Sequence, residues 1–119
     1  MPATKPLVGV VGPCGSGKST LIAQLEPLGF PCRHIAQEHS YVPSMWQRIA
    51  NPDVLIFLQA SYPVCTQRRR LNWTEADYEE QQRRLAHARQ HASITIETDN
   101  LTPDEILARV LDFLNEASR

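Results

Sequence analysis

Two continuous apolar runs, residues 7–11 (Leu-Val-Gly-Val-Val) and residues 54–58 (Val-Leu-Ile-Phe-Leu), mark strands of the kind buried on both faces of a parallel sheet. Between them residues 30–37 read as a weaker strand and residues 38–43 as the loop leaving it. Residues 93–97 alternate as a short fourth strand. Helical spacing fills the rest. Leu21, Ile22 and Leu25 open a first helix that Pro27 and Gly29 stop, and residues 63–91 form a helix or helix pair broken near Asn72. Within that stretch Thr74 is an N-cap with Asp77 at N3, and Trp73 and Tyr78 occupy the two positions of a hydrophobic staple. The last helix is the most clearly written: Thr102 caps it, Pro103 is its first residue, Glu105 completes a capping box, and Leu101 faces Ile106. Its stripe of Ile106, Leu107, Val110, Leu111, Phe113 and Leu114 is core. Strands alternating with helices predict crossover units, a short parallel sheet and a three-layer α/β sandwich, with residues 1–119 as one domain.

The turn between the first strand and the first helix carries the chemistry. Gly12-Pro13-Cys14-Gly15-Ser16-Gly17-Lys18-Ser19-Thr20 is a complete G-x-x-x-x-G-K-[ST] phosphate-binding signature, with the strand before it and the helix after it that the motif requires. Its residue types follow from anion binding. Glycines let the backbone wrap a phosphate with its N–H groups inward, and the positive end of the helix favours negative charge there. The Lys18 ammonium is expected to reach the β- and γ-phosphates, and the Ser19 hydroxyl to ligate the accompanying Mg²⁺.

Composition narrows the setting. A length of 119 residues with 42% hydrophobic content fits one core, and a net charge of -1 gives no global basic field to imply nucleic acid. The N-terminal apolar run of five residues is too short for a membrane span or a signal-peptide core, so a cytoplasmic location with no membrane partner is expected. Cys14, Cys32 and Cys65 are odd in number and lack a C-x-x-C pair, which suggests neither a disulfide framework nor a zinc site. Cys14, lying inside the loop, is placed where oxidation would block a nucleotide.

Geometry sorts the remaining candidates. Binding groups in a parallel sheet gather at the carboxyl ends of its strands. Asp53 begins its strand, so it lies roughly 16 Å from the phosphates, at about 3.3 Å per residue. Glu26 ends the first helix and points away. By elimination Glu38 is the candidate to orient Mg²⁺ or to accept the proton of an attacking hydroxyl; its alternative is a solvated surface glutamate. At the carboxyl end of the strand at 54–58 the chain has Gln59, a neutral amide that cannot replace a base. Arg68, Arg69 and Arg70, with Arg83, Arg84 and Arg89 on the next helix, supply either a lid over the γ-phosphate or a solvated helical segment paired with Glu75, Glu79 and Glu80. His87 and His91 have metal-ligand spacing but no third ligand, so an exposed polar face is expected. His39 stands beside Glu38, and Trp46 is either a pocket wall or a core anchor.

With the glycine loop, residues 54–58 leading to a helix that opens Tyr62-Pro63-Val64 and runs into Arg68, and residues 92–99 in order, the chain resembles the P-loop small-molecule kinases. Shikimate, adenylylsulfate and nucleotide kinases belong to that group. The resemblance implies a fold of the P-loop NTPase type, with ATP on residues 12–20. It also implies Arg68 with Arg69 or Arg70 as lid residues, and Thr98, Asp99 and Asn100 near the adenine. The chain is a shortened version, because only about a dozen residues stand where such kinases carry a further strand and a substrate-binding insertion.

Two functions are expected from this reading. The first is an ATP- and Mg²⁺-dependent phosphotransferase acting on a small hydroxyl or phosphate compound. In it Lys18, Glu38 and an arginine among 68–70 are catalytic, and Ser19 and Glu38 serve the metal. The second is a module that binds nucleotide as a structural or regulatory ligand and transfers nothing. A site so reduced leaves room for a second copy of the chain, as a homodimer, to complete it.

Overall fold

The computed structural model describes residues 5–117, which form an α/β unit with helices on both faces of a parallel sheet. Its strands are β1 (Val8–Val11), β2 (Cys32–His34), β3 (Val54–Gln59) and β4 (Ile94–Glu97), in the order β2-β1-β3-β4, all neighbours parallel. The helices are α1 (Lys18–Leu25), α2 (Met45–Ile49), α3 (Tyr62–Arg69), α4 (Glu75–His91) and α5 (Pro103–Ala117).

The apolar runs explain the layering. β1 and β3 are buried along almost their whole length, as continuous hydrophobic strands at the centre of a parallel sheet must be. One face of the sheet, through Val8, Val10, Ile56, Leu58 and Ile96, packs on Leu21 and Leu25 of α1 and on Ile106, Val110 and Leu114 of α5. The other, through Val11, Leu55 and Phe57, packs on Ile35, Trp46 of α2, and Leu85 and Ala88 of α4. Three layers result.

Local signals place the helix starts. Thr74 Oγ1 accepts from the Asp77 N–H at 3.2 Å while Asp77 Oδ2 accepts from the Thr74 N–H at 3.0 Å. Thr102 and Glu105 make the same reciprocal pair at 3.2 and 2.9 Å. Each box satisfies N–H groups that a helix start otherwise leaves without partners. The Trp73 and Tyr78 rings meet edge to face at 5.9 Å.

The second strand is shorter than its sequence suggests. Only Cys32–His34 pairs as β2, and the chain then turns through a 3-10 segment, Gln37–His39, into α2, where an extended strand to residue 37 and a plain loop were expected. Gln37 is the cause. Its fully buried carboxamide donates to the carbonyls of Val42 and Arg84 and accepts from the Trp46 N–H at 2.9 Å, so it gathers the turn onto α2 and α4. Trp46 is thereby a core anchor, with its indole N–H donated to His87 Nδ1 at 3.0 Å. Among the described residues no helix is long and apolar enough to cross a membrane.

Strand order reverses between β1 and β3, since the chain moves from β1 outward to β2 and then back past β1 to β3. In such a sheet a crevice opens beyond the carboxyl ends of the two strands at the reversal. The glycine loop leaves β1 at that point.

Candidate functional site

A cavity of about 570 Å³ lies over this crevice, lined by Gly15 through Leu21 of the loop and α1, by His34, Glu38 and His39 after β2, by Arg68 and Arg69 of α3, and by Leu101, Pro103 and Ile106 at the start of α5. Gln24 and Cys14 complete much of the wall. The cationic side chains Lys18, Arg68 and Arg69 face a single carboxylate, Glu38. The cavity therefore favours an anion.

The loop holds its shape through positions that only glycine fills without strain. Gly15 and Gly17 have φ of 87° and 103°, and a Cβ at Gly15 would stand 2.7 Å from the Cys65 carbonyl oxygen of α3. Gly17 is the N-cap of α1 and supplies no side-chain cap, so the first-turn N–H groups lack a side-chain acceptor at the cavity. The Ser16 hydroxyl is buried there with no hydrogen-bond partner. Donors without acceptors suit a ligand rich in oxygen.

Lys18 is folded inward. Its Nζ donates to the Gly12 and Pro13 carbonyls at 2.7 and 3.1 Å and lies 2.8 Å from Glu38 Oε2. Both side chains are almost wholly excluded from water, at 6% and 3% exposure. The second Glu38 oxygen, Oε1, is buried without a partner. Glu38 is thus no solvated surface acid, and the 3-10 turn that Gln37 organises is what delivers it beneath the cavity.

The arginines separate. Arg68 donates to the Thr98 carbonyl at 2.7 Å, to Thr98 Oγ1 at 3.0 Å and to the Gly15 carbonyl at 3.4 Å, which ties α3 to both the loop and the end of β4. Arg69 lines the cavity beside it. Arg70 caps α3 in the left-handed conformation, with φ of 52°, and is not part of the wall. On the next helix Glu80 pairs with Arg83 and Arg84, as expected of a solvated helical segment.

Of the residues expected near a base, Thr98, Asp99 and Asn100 stand outside the lining. The Thr98 hydroxyl and carbonyl serve Arg68, and Asp99 Oδ1 accepts from the Ser61 N–H at 2.9 Å. The next residues, Leu101 and Pro103, take the wall instead and give it an apolar side. Gln59 lies at the end of β3, bonded to the Tyr78 hydroxyl and to Arg89 at 3.0 Å each. Asp53 accepts from the Leu7 N–H at 2.8 Å at the opposite edge of the sheet. The His87 and His91 rings lie tilted to one another at 4.4 Å beside Trp46. They gain no third ligand: among the described residues Cys14, Glu38 and His39 are the one group of three that brings metal-binding atoms together.

Two contributors were not singled out in the sequence. His34 borders the cavity, and its pKa is lowered, chiefly by partial desolvation and then by the charge of Lys18, with Glu38 opposing and Arg69 adding a smaller push. Gln81 of α4 is buried, accepts from the Cys14 N–H at 3.1 Å and donates to Cys14 Sγ at 3.4 Å. Nothing in a run of polar helical residues distinguishes it from its neighbours. On the far side of the loop, burial raises the Cys65 thiol to about 11, against the opposing charge of Arg68.

The sequence matches no family model, and no curated protein matches it.

Proposed function

We propose that the chain is an ATP-dependent phosphotransferase of the P-loop NTPase type acting on a small hydroxyl or phosphate compound. One observation carries the reading: a glycine loop at the strand-order reversal encloses a buried ammonium and a buried carboxylate 2.8 Å apart, under an electropositive cavity. The triphosphate would lie on the loop N–H groups and the uncapped start of α1. The apolar wall of Leu101, Pro103 and Ile106 would take the base.

Each side chain then has a task. Lys18 would exchange the Gly12 and Pro13 carbonyls for β- and γ-phosphate oxygens, releasing Glu38. Glu38 would accept the proton of the acceptor hydroxyl as its oxygen bonds to the γ-phosphorus and the bond to the bridging oxygen of the departing ADP breaks. Arg68 and Arg69 would neutralise charge on the transferred group. The Ser19 hydroxyl and the Glu38 carboxylate border the same cavity, and oxygen donors of this kind, with one carboxylate oxygen unpartnered, fit Mg²⁺. When bound, that ion would screen the phosphate charge and orient the phosphates. A cytoplasmic setting accords with three unpaired cysteines.

A second reading, a nucleotide-binding module without transfer, is favoured by one feature. The β3 terminus presents Gln59, a neutral amide committed to Tyr78 and Arg89, where a catalytic acid would otherwise fit. ADP release from ATP and Mg²⁺ across a panel of small metabolites separates the two. Turnover stimulated by one metabolite and lost in Glu38→Gln supports transfer, whereas tight binding with flat turnover supports the module.

A further inference from the structure

Cys14 Sγ, His39 Nε2 and Glu38 Oε2 converge at the edge of the cavity, on the side away from α5. The sulfur lies 3.4 Å from the imidazole nitrogen and 3.8 Å from the carboxylate oxygen, and nitrogen and oxygen are 3.9 Å apart. A tetrahedral zinc ion, with bonds of about 2.3 Å to sulfur and about 2.0–2.1 Å to nitrogen or oxygen, holds its ligand atoms about 3.3–3.6 Å from one another. The triangle of side chains needs to contract by no more than about half an ångström on its longer edges to reach that geometry.

Three further observations point the same way. Glu38 is 97% buried by its 3% exposure; the Oε2 that belongs to the triangle is shared with Lys18 at 2.8 Å, and its other oxygen, Oε1, is buried with no hydrogen-bond partner. The Gln81 carboxamide grips Cys14 through both its backbone N–H and its sulfur, which orients the thiol toward the other two groups as an outer-shell partner does. The His39 side chain is 58% exposed, so an ion has a path from solvent, and all three residues border the cavity.

We propose that Cys14, His39 and Glu38 form a three-ligand site for a zinc-class divalent cation, with the fourth position open to the cavity. Sulfur and imidazole select a borderline ion over Mg²⁺, which prefers oxygen alone, so this site differs in ion preference from one built on Ser19 and Glu38 while sharing the Glu38 carboxylate with it. On binding, the metal displaces the Cys14 thiol proton to solvent and bonds to sulfur, nitrogen and oxygen, with no change of oxidation state. The site does not depend on the nucleotide reading.

Titration of the full chain with Co²⁺, in buffer free of nucleotide and chelator, tests it. The expected result is one equivalent bound with a thiolate-to-cobalt charge-transfer band, bleached by Zn²⁺. Cys14→Ser should remove the band, and His39→Gln should weaken binding by about tenfold or more. Absence of the band in the unmodified chain, or its survival in Cys14→Ser, overturns the proposal. A measurement on the unaltered protein guards against misfolded variants: Zn²⁺ should slow alkylation of Cys14, located by peptide mapping, and equal rates with and without Zn²⁺ overturn the site as well. Failure of ATP turnover leaves these readouts untouched, and failure of metal binding leaves the phosphotransferase test untouched.

Discussion

Lys18 Nζ sits 2.8 Å from Glu38 Oε2 in a place where neither charge meets bulk water, so each residue is the other's main compensation. Removing one member of such a pair leaves a buried charge alone, at a cost of about 3–5 kcal/mol. Lys18→Ala should lower unfolding stability by about that amount in urea titrations and also abolish nucleotide-dependent thermal stabilisation. The double variant Lys18→Ala/Glu38→Gln should recover part of the loss. Strict additivity of the two single changes would show that the pair is not energetically coupled.

Two of the three positive-φ glycines of the loop, Gly15 and Gly17, should respond differently to alanine. At Gly17 a methyl group meets nothing within 4 Å, so the cost is backbone strain of about 1–2 kcal/mol. At Gly15 the same methyl group would approach the Cys65 carbonyl oxygen to 2.7 Å and Cys65 Cα to 2.9 Å, adding roughly 1–3 kcal/mol of overpacking. Equal melting temperatures for Gly15→Ala and Gly17→Ala would contradict the contact with α3.

His34 should report on the charge of the cavity. Its folded pKa lies below the ordinary value of 6.5 because of partial desolvation first and of Lys18 next. As pH falls below 6.5 the unfolded chain therefore takes up the proton before the folded one does. The resulting contribution to stability is present above 6.5 and declines on acidification through the folded value. Inorganic tripolyphosphate in the cavity would offset Lys18 and Arg69 and raise the His34 midpoint. NMR titration of the imidazole, with and without the anion, reads the change, and a midpoint unmoved by tripolyphosphate would place the anion elsewhere.

Arg68 and Arg70 stand two residues apart with opposite expected sensitivities. Arg68→Ala removes the hydrogen bonds to Thr98 and Gly15 and should cost about 1–3 kcal/mol together with any turnover. Arg70→Gly should leave both nearly unchanged, since glycine relieves the left-handed cap by about as much as it loses in chain entropy. Comparing melting curves and ADP release for the two variants checks the assignment.

Much of this architecture was legible because it is local. The apolar runs of β1 and β3, the capping boxes at Thr74 and Thr102 and the glycine loop are each written within a few consecutive residues, and the structure places them at those residues. Glu38 was reached by eliminating other carboxylates, which works because strand polarity says which end of the sheet a residue occupies. The contributions of Gln37, Gln81 and His34 depend on partners 9 to 67 residues away, as in the Gln37–Trp46 and Cys14–Gln81 contacts, and no short pattern encodes them. The five-residue α2 escaped for a related reason: it has no side-chain cap, and its one buried side chain, Trp46, is held from outside the helix.

The abutment of Gly15 on α3, with Arg68 anchored to Thr98, joins the arginine-bearing helix directly to the loop. In the proposed phosphotransferase, nucleotide exchange would then proceed through a standing cleft, with no hinged movement to keep time. In stopped-flow experiments a fluorescent ATP analogue should associate in a single phase whose rate climbs linearly with concentration, and a plateau would betray a gate.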